Sequence, residues 1–304
     1  MNDLDKRTNY AIFLLLALVA TLWGINVIMI KYLTKFFPPL ALAPIRLALA
    51  VGVLFPMVLY KHGYHRLSRE AWLMAGGSAA FTIFLHQITM SWGLAETSGT
   101  HGALILGLSP LFVALMASRL MHEPFTWQKG LGIMLGFGGV LLVVTGDTRG
   151  AASLAGDAVM FASMLAFVAG TFFIKRGTAL VSPLLVTAYS MLMGSALLIV
   201  LGLFTNEAWY YEGAFAPAPL AVLAFSSFVN TALGAVWWNM GIQRVGASTT
   251  TLFQNGIPVA GVFMAALWLG EELHWNHLAA LALVLAGVCL GTGVLGLGRA
   301  KEKG

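Results

Sequence analysis

Hydrophobic residues form long runs along this chain, separated by short polar connections. Each run holds about 20 residues, the length that an α-helix needs to cross the hydrocarbon core of a bilayer. Charges, glycines and prolines at the ends of the runs predict ten transmembrane helices. They cover residues 11–31, 39–60, 71–93, 100–121, 127–146, 154–174, 183–204, 218–241, 248–269 and 276–297. The pattern therefore predicts an all-α polytopic membrane protein.

Composition agrees with a chain that lies mostly inside a membrane. Of 304 residues, 59% are hydrophobic and only 10% are charged, whereas soluble domains carry about 25% charged residues. Ten helices of about 20 residues use roughly 200 residues, which leaves no room for a separate water-soluble domain. The first apolar run is longer than the core of a signal peptide, so we expect helix 1 to be retained.

The basic residues predict the orientation of the chain. With the N-terminus inside, roughly 13 Lys and Arg residues fall on the inner side, against Lys31, Lys35 and Arg149 on the outer side. The outer connections also carry the acids Glu96, Asp147, Glu207, Glu212, Glu271 and Glu272. Both termini are therefore predicted to be cytoplasmic. This orientation signal also accounts for the net charge of +5, which predicts no nucleic-acid partner.

The two halves of the chain share residues at nearly constant offsets. An offset of 144 pairs Lys31, Thr34, Pro39 and Leu40 with Lys175, Thr178, Pro183 and Leu184. An offset of 148 pairs Gly93, Pro110, Ala117, Glu123, Trp127 and Gly139 with Gly241, Pro258, Ala265, Glu271, Trp275 and Gly287. Because five helices separate equivalent elements, the sequence predicts two inverted repeats, residues 1–150 and 151–304. Inverted repeats are typical of secondary transporters that expose a midplane site alternately to each side.

Several short motifs resemble those of a known family. They are Leu22-Trp23-Gly24, Arg46, Gly107-x-x-Pro110, Glu123-Pro124-Phe125-Thr126-Trp127-Gln128-x3-Gly132 and Glu271-Glu272-Leu273-His274-Trp275. In these motifs the chain resembles the EamA-like family of the drug/metabolite transporter superfamily. The resemblance implies ten helices, the inner membrane of bacteria, and movement of small metabolites, often the export of amino acids.

The resemblance does not extend to the small four-helix multidrug members of that superfamily. Those proteins carry a membrane-embedded glutamate in helix 1 that exchanges protons for cationic drugs. Residues 11–31 contain no acid here, and Asp157 stands only at the start of a helix. Proton-coupled export of cations by that mechanism is therefore disfavoured.

An arginine and a histidine lie well inside predicted helices. Arg46 is either a fork for a substrate carboxylate or a structural residue that caps helix-end carbonyls or snorkels outwards. We favour the structural interpretation, since the family pattern itself contains this arginine. His86 either relays a proton or bonds a substrate, or it is satisfied within the bundle.

Polar side chains predict two walls of one cavity. Thr82, His86 and Thr89 fall at i, i+4 and i+7, so they share one face of an α-helix. Asn230 and Trp237 occupy the repeat positions of Thr82 and Thr89. Residues that break the repeat symmetry are the better candidates for substrate contact, although helix packing also explains the tryptophans. The predicted binding residues are Trp23, Asn26, Arg46, His86, Asn230, Trp237, Trp238, Gln254 and Asn255, with Asn239 as a further symmetry-breaking residue.

Prolines and glycines recur at equivalent positions in the helices of the two halves. Pro110 and Pro258 each remove a backbone hydrogen bond near the middle of a span, which predicts kinks at a binding site or gate, or fixed bends for packing. The glycines of helices 5 and 10 permit close approach of helices within one chain or between two. The oligomeric state is left open.

The leading hypothesis is a secondary transporter of small metabolites, working by alternating access and exporting amino acids or similar compounds. An intramembrane lipid-modifying enzyme is the alternative from another class, and carriers of nucleosides, sugars or organic cations are alternatives within transport. Enzymes of that kind need clustered acids or a histidine paired with an acid or serine, and the sequence shows none. We therefore predict no catalytic residue, no metal and no cofactor. The partners expected are the lipid bilayer and a small-molecule substrate.

Overall fold

The computed structural model describes residues 3–63, 66–120, 126–146, 153–204, 208–246, 250–251 and 253–291. The described residues form helices and short connections, without a β-strand. The first half contains α1 (Asp3–Leu33), α2 (Pro39–His62), α3 (Arg69–Glu96), α4 (Gly99–Leu106), α5 (Ser109–Leu120) and α6 (Trp127–Gly146). The second half contains α7 (Leu154–Leu180), α8 (Pro183–Phe204), α9 (Pro217–Val245), α10 (Phe253–Leu269) and α11 (Trp275–Gly291). The predicted all-α class is confirmed.

Within the described residues, seven segments are long and apolar enough to cross a membrane. They are Ala11–Leu33, Pro39–His62, Arg69–Glu96, Gly99–Met116, Leu154–Leu180, Pro183–Phe204 and Pro217–Val245. Shorter apolar helices, Gly130–Leu142, Phe253–Leu269 and Trp275–Leu290, lie where the remaining three spans are predicted. The ten-span count, the cytoplasmic termini and the repeat boundary at residue 150 stay predictions. Glu123, the first-half member of the glutamate pair, lies outside the described residues.

Two helices contain a π-helical segment at equivalent places. In α3 the segment is Ala79–Leu85, and in α9 it is Ser226–Leu233, which correspond at the repeat offset of 148. A π-helix bonds residue i to i+5 and so inserts an extra residue into a turn, frequently at a functional site. The side chains that share a face on either side of the segment are therefore eight residues apart, not seven.

The predicted kinks at the two prolines take the form of helix boundaries. The fourth predicted span is interrupted after Leu106, and Pro110 is the second residue of the new helix α5, where its missing N–H costs little. Pro258 follows a 3₁₀ turn, Phe253–Asn255, at the start of α10. The two breaks touch each other, since a Cβ at Gly107 would lie 2.9 Å from Cγ of Pro258.

Glycines hold α6 against α11 within this chain. A Cβ added to Gly139 would lie 2.8 Å from the carbonyl oxygen of Ala280, and one added to Gly287 would lie 2.6 Å from that of Gly132. Real Cβ contacts are not that short, and backbone atoms cannot move aside as side chains do. These glycines therefore serve intrachain packing, which answers the question that the sequence left open.

Candidate functional site

A cavity lies in the middle of the helical bundle, between the two halves of the chain. Its walls come from α1, α2, α3, α7, α8, α9 and α10 and from the break between α4 and α5. The side chains that line it occur largely as repeat pairs, namely Trp23 with Phe167, Arg46 with Ser190, Thr82 with Asn230, Ile83 with Thr231, Gln87 with Ala235 and Met90 with Trp238. The two halves therefore contribute equivalent positions but different chemistry.

Arg46 places a positively charged guanidinium in the wall of this cavity. Its side chain is buried, with only 1% of the residue exposed. Nε donates to Ser226 Oγ at 3.0 Å, Nη1 to Gln87 Oε1 at 3.2 Å and Nη2 to Thr231 Oγ1 at 2.9 Å. All three acceptors are neutral, so they orient the guanidinium without cancelling its charge.

This arrangement differs from the structural role that we favoured for Arg46 from the sequence. The guanidinium neither caps helix-end carbonyls nor extends to the membrane surface. The guanidinium points into the cavity, where it bonds Ser226 and Thr231 of the π segment of α9. Within that segment, Thr231 Oγ1 also donates to the carbonyl of Ser226 at 2.8 Å. The interpretation as a carboxylate fork stays a prediction, with a geometry that fits it.

His86 follows the π segment of α3 and lines the same cavity. Its Nδ1 lies 3.0 Å from the carbonyl oxygen of Ser163 and 2.8 Å from Ser163 Oγ. Because a carbonyl only accepts, Nδ1 carries the proton. Ser163 Oγ in turn donates to the carbonyl of His86 at 2.9 Å. The ring is thus held from the side of α7, and Nε2 is the ring nitrogen outside these contacts.

Aromatic rings form the apolar wall of the cavity. The ring of Trp23 meets Trp238 at a centroid distance of 4.9 Å and Phe167 edge-on at 6.1 Å. Trp23 Nε1 donates to the backbone carbonyl of Asn230 at 3.1 Å, which ties α1 to the π segment of α9. Rings held in this way offer a rigid apolar surface.

Seven of the nine predicted binding residues line the cavity, namely Trp23, Asn26, Arg46, His86, Asn230, Trp238 and Gln254. Trp237 does not line it and packs partly buried against another apolar cluster. Asn255 is also absent from the lining, as is Thr89, whose hydroxyl bonds backbone carbonyls of its own helix. The predicted seven-residue spacing assumes a continuous α-helix. The π segments shift the register, so that Met90 and Trp238 line the cavity in place of Thr89 and Trp237.

Sequence reasoning missed the residues that hold Arg46. Gln87, Ser226 and Thr231 carry ordinary polar side chains in apolar helices, and no motif marks them. Ser226 Oγ also donates to Asn26 Oδ1 at 2.6 Å, which links α9 to α1. Only the pairing of α2 with α3 and α9 brings these groups together.

A second polar cluster lies at the end of the bundle that the charge distribution predicts to face outwards. Asp157, in the first turn of α7, accepts a hydrogen bond from Thr97 Oγ1 and lies 3.0 Å from His101 Nδ1. Both partners of the His–Asp pair are buried. The sequence shows no histidine paired with an acid, and this expectation is wrong for His101 and Asp157, because α4 and α7 meet at their first turns.

The two histidine contacts differ in their access to the cavity. Ser163, beside His86, is fully buried and does not line the cavity, whereas His86 itself does. Neither His101 nor Asp157 lines the cavity. The His101–Asp157 pair therefore connects α4 with α7 away from the cavity.

Glu271, in the second half of the chain, lies at the same end of the bundle. Its Oε1 accepts from the backbone N–H of Gly99 at 2.7 Å, and its Oε2 accepts from the N–H and the hydroxyl of Thr100 at 3.0 and 2.7 Å. A carboxylate at a helix N-terminus satisfies unpaired N–H groups and complements the helix dipole. Glu271 thus caps α4 from the second half of the chain, beside the N-cap residue Ser98, whose hydroxyl accepts from the N–H of His101.

We expect Glu271→Ala to lower the thermal stability of the purified protein. The change removes three hydrogen bonds to a carboxylate, and loss of a helix cap typically costs about 1 to 2 kcal/mol. Glu272→Ala is the matched control, because this neighbour lies on the surface, 3.5 Å from His274. Unfolding followed by fluorescence in detergent measures both variants, and equal melting temperatures would contradict the capping role.

Two similar halves around a central cavity are the architecture of a membrane carrier, and comparison with known proteins places the chain within one family of carriers. It matches the EamA-like transporter family twice, over residues 10–145 and 154–292. The chain belongs to the EamA-like transporter family.

Relatives with assigned names are transporters. The chain is 32% identical over 280 residues to an uncharacterized transporter, YyaM, of Bacillus subtilis, an alignment that covers 87% of this chain and 88% of the relative. It is 26% identical to a probable amino-acid metabolite efflux pump of Salmonella typhimurium, over 89% of this chain and 91% of the relative. It is also 26% identical to a probable terminal-alkyne amino-acid exporter of Streptantibioticus cattleyicolor, over 83% and 80% of the two chains.

A solved structure described as a crystal structure of protein has the same fold. The superposition has a TM-score of 0.70 and covers 95% of this chain and 98% of the other, at 18% sequence identity. At that identity the likeness establishes the arrangement of the helices and leaves the cargo open.

Proposed function

We propose that this EamA-family transporter exports amino acids or closely similar carboxylates by alternating access, with the central cavity as the binding site. The observation that carries the proposal is the buried guanidinium of Arg46 in a cavity whose described lining includes no Asp or Glu. A buried charge without a counter-ion is costly in a membrane protein. A substrate carboxylate supplies that counter-ion.

The geometry of Arg46 leaves room for such a group. A guanidinium has five N–H donors, and three of them are bonded to Ser226, Gln87 and Thr231. One N–H on each terminal nitrogen is therefore left. Two donors on a rigid planar group suit a carboxylate, which accepts with two oxygens.

The aromatic wall gives the rest of the substrate a place to bind. Trp23, Phe167 and Trp238 present apolar surface next to polar groups of the cavity, which is the usual composition of a small-molecule site. Broken helices and π segments border this wall, as in carriers whose binding sites lie at interrupted helices. An amino acid with an apolar or aromatic side-chain body fits both features.

The names of two relatives support the same substrate class and the outward direction, since one is a probable amino-acid metabolite efflux pump and the other a probable terminal-alkyne amino-acid exporter. The proposal includes two inverted repeats that rock about the cavity, cytoplasmic termini and a location in the bacterial plasma membrane. The candidate gates are the contacting helix breaks at Pro110 and Pro258.

The test is counterflow into liposomes that contain the purified protein. Vesicles are loaded with one unlabelled amino acid at a time, and uptake of the same labelled compound is followed without any ion gradient. We expect saturable exchange for a restricted set of amino acids. Exchange only of nucleosides, sugars or organic cations by folded, inserted protein would overturn the amino-acid assignment.

A further inference from the structure

Hydrogen bonds inside the cavity give its two ends opposite polarity. At the Arg46 end, Gln87 offers its oxygen to the guanidinium. Since Arg46 can only donate, the Gln87 atom in that contact must be the amide oxygen. Ser226 Oγ accepts a hydrogen bond from Arg46, and its hydroxyl donates a hydrogen bond to Asn26 Oδ1. The amide groups of Gln87 and Asn26 are thus left with N–H donors, so donors predominate at this end of the cavity. Asn230 Oδ1 is an acceptor beside them. We call this end the donor end.

The other end of the cavity offers hydrogen-bond acceptors. Thr187 Oγ1 donates to the carbonyl of Pro183 at 2.7 Å, and it accepts from Asn239 Nδ2 at the same distance. Because a carbonyl only accepts, this chain fixes the Asn239 amide with its nitrogen towards Thr187 and leaves Oδ1 to accept. Ser190, one turn along α8, has a buried Oγ without a hydrogen-bond partner. Asn239 Oδ1 can only accept, and the Ser190 hydroxyl can accept as well as donate, so together they form an acceptor end.

The spacing between the two ends follows from the helices that carry them. Thr231 bonds Arg46, and Asn239 lies eight residues further along α9, which is roughly 12 Å of helix rise. The contact of α2 with α8 agrees with this spacing, because the Phe55 ring meets Tyr189, next to Ser190, edge-on at 5.9 Å. Phe55 lies nine residues beyond Arg46 on α2, or roughly 13 Å.

This span is too long for a carboxylate and its α-ammonium alone. The guanidinium lies at the level of Thr231, and the side chain of Asn239 leans towards the N-terminus of α9, so the remaining gap is about the length of one large side chain. The Trp23, Phe167 and Trp238 rings flank it. The acceptor end is thus placed for a group at the tip of the substrate's side chain.

We propose that Asn239 and Ser190 form a second subsite, which binds a neutral hydrogen-bond donor, a hydroxyl or primary amide, at the far end of an amino-acid side chain. This inference rests on the proposed function, since Arg46 holds the carboxylate. An ammonium tip is disfavoured, because Arg46 is present and the described lining contains no acid to offset a further positive charge. The unpaired Asn230 Oδ1, one residue from Thr231, is left for the α-ammonium.

The test compares three compounds that differ by one group each. Tyrosine carries all the groups that the cavity recognises, phenylalanine lacks the terminal hydroxyl, and tyramine lacks the carboxylate. In liposome counterflow we expect tyrosine to exchange at least about tenfold more efficiently than phenylalanine, since a site built to bond a hydroxyl rejects the analogue without it. Tyramine is expected to exchange poorly.

The subsite is checked by variants in the same assay. Asn239→Leu is expected to abolish the preference for tyrosine over phenylalanine, and the smaller change Ser190→Ala to reduce it severalfold. Gln243→Leu is the control, because Gln243 lies one turn further along α9 and bonds the Thr178 carbonyl outside the cavity lining. Its preference for tyrosine is expected to equal that of the unaltered protein.

The possible results separate the second subsite from the proposed function. Equal exchange of tyrosine and phenylalanine would overturn the subsite and leave amino-acid transport standing. A tyrosine preference that survives both Asn239→Leu and Ser190→Ala would overturn the assignment to these residues. Exchange of tyramine as efficient as that of tyrosine would refute the carboxylate site, and no exchange of any of the three by folded protein would overturn both proposals.

Discussion

Replacing Arg46 with alanine is expected to lower amino-acid counterflow by roughly 30-fold or more. Truncating one partner of a buried, hydrogen-bonded charge pair typically costs 2 to 5 kcal/mol, and each 1.4 kcal/mol is a factor of about ten. The change also leaves Gln87, Ser226 and Thr231 without the donor that orients them. Initial exchange rates in liposomes, normalised to correctly inserted protein, measure the loss.

The repeat supplies the matched comparison for this variant. Ser190 occupies the position equivalent to Arg46, and Ser190→Ala is expected to cause a smaller loss of total flux. His86→Ala is also expected to lower the flux more than Ser190→Ala, because the His86 ring lines the cavity and is held there by Ser163. Arg46→Lys keeps the charge but not the planar set of donors, so we expect an intermediate rate. Equal and negligible effects of Arg46→Ala and Ser190→Ala would refute the argument from broken symmetry.

Replacing Gly139 with leucine is expected to destabilise the protein strongly. A Cβ at this position would already lie 2.8 Å from the carbonyl of Ala280 and 3.1 Å from Cβ of Leu283. Overpacking of a close-packed contact costs typically 1 to 3 kcal/mol, and a larger cost is expected where the obstacle is backbone. The melting temperature in detergent should fall by several degrees, with less monodisperse protein recovered.

The adjacent residue is an unusually close control. Gly138 lies in the same helix with nothing within 4 Å of an added Cβ. Gly138→Leu makes the same chemical change at a position exposed on the bundle surface, and it should leave the melting temperature close to that of the unaltered protein. A similar drop for both variants would show that helix propensity or insertion, and not the contact of α6 with α11, is responsible.

The sequence predicted the two similar halves of the chain and its family. Both predictions depend on the lengths of the hydrophobic runs and on glycine, proline and glutamate residues that recur at fixed offsets. Glu271 is an example, since its place after α10 predicts a repeat motif. Its role as the cap of α4 depends on a contact across 172 positions of sequence. No local pattern encodes that contact.

Individual polar residues that the sequence marked lie at the cavity, whereas their register along the helices differs from the prediction. An amide or a charged group in an apolar helix is conspicuous, because burial without a partner is costly. This reasoning brought Arg46, His86 and Asn26 to the cavity. It missed Gln87, although this residue is an amide of the same kind, and it missed Ser226, because their shared partner Arg46 lies 41 and 180 positions away in the sequence.

The sequence by itself determined that the chain is an all-helical membrane protein with two similar halves, because length, hydrophobicity and repeat spacing are properties of the chain. Only the tertiary structure decided that Trp238 lines the cavity in place of Trp237, and that His101 meets Asp157. A π turn changes the register through its i to i+5 hydrogen bonds, which leave no local sequence signal here. Helix packing likewise brings together groups whose separation in sequence carries no information about their distance in space.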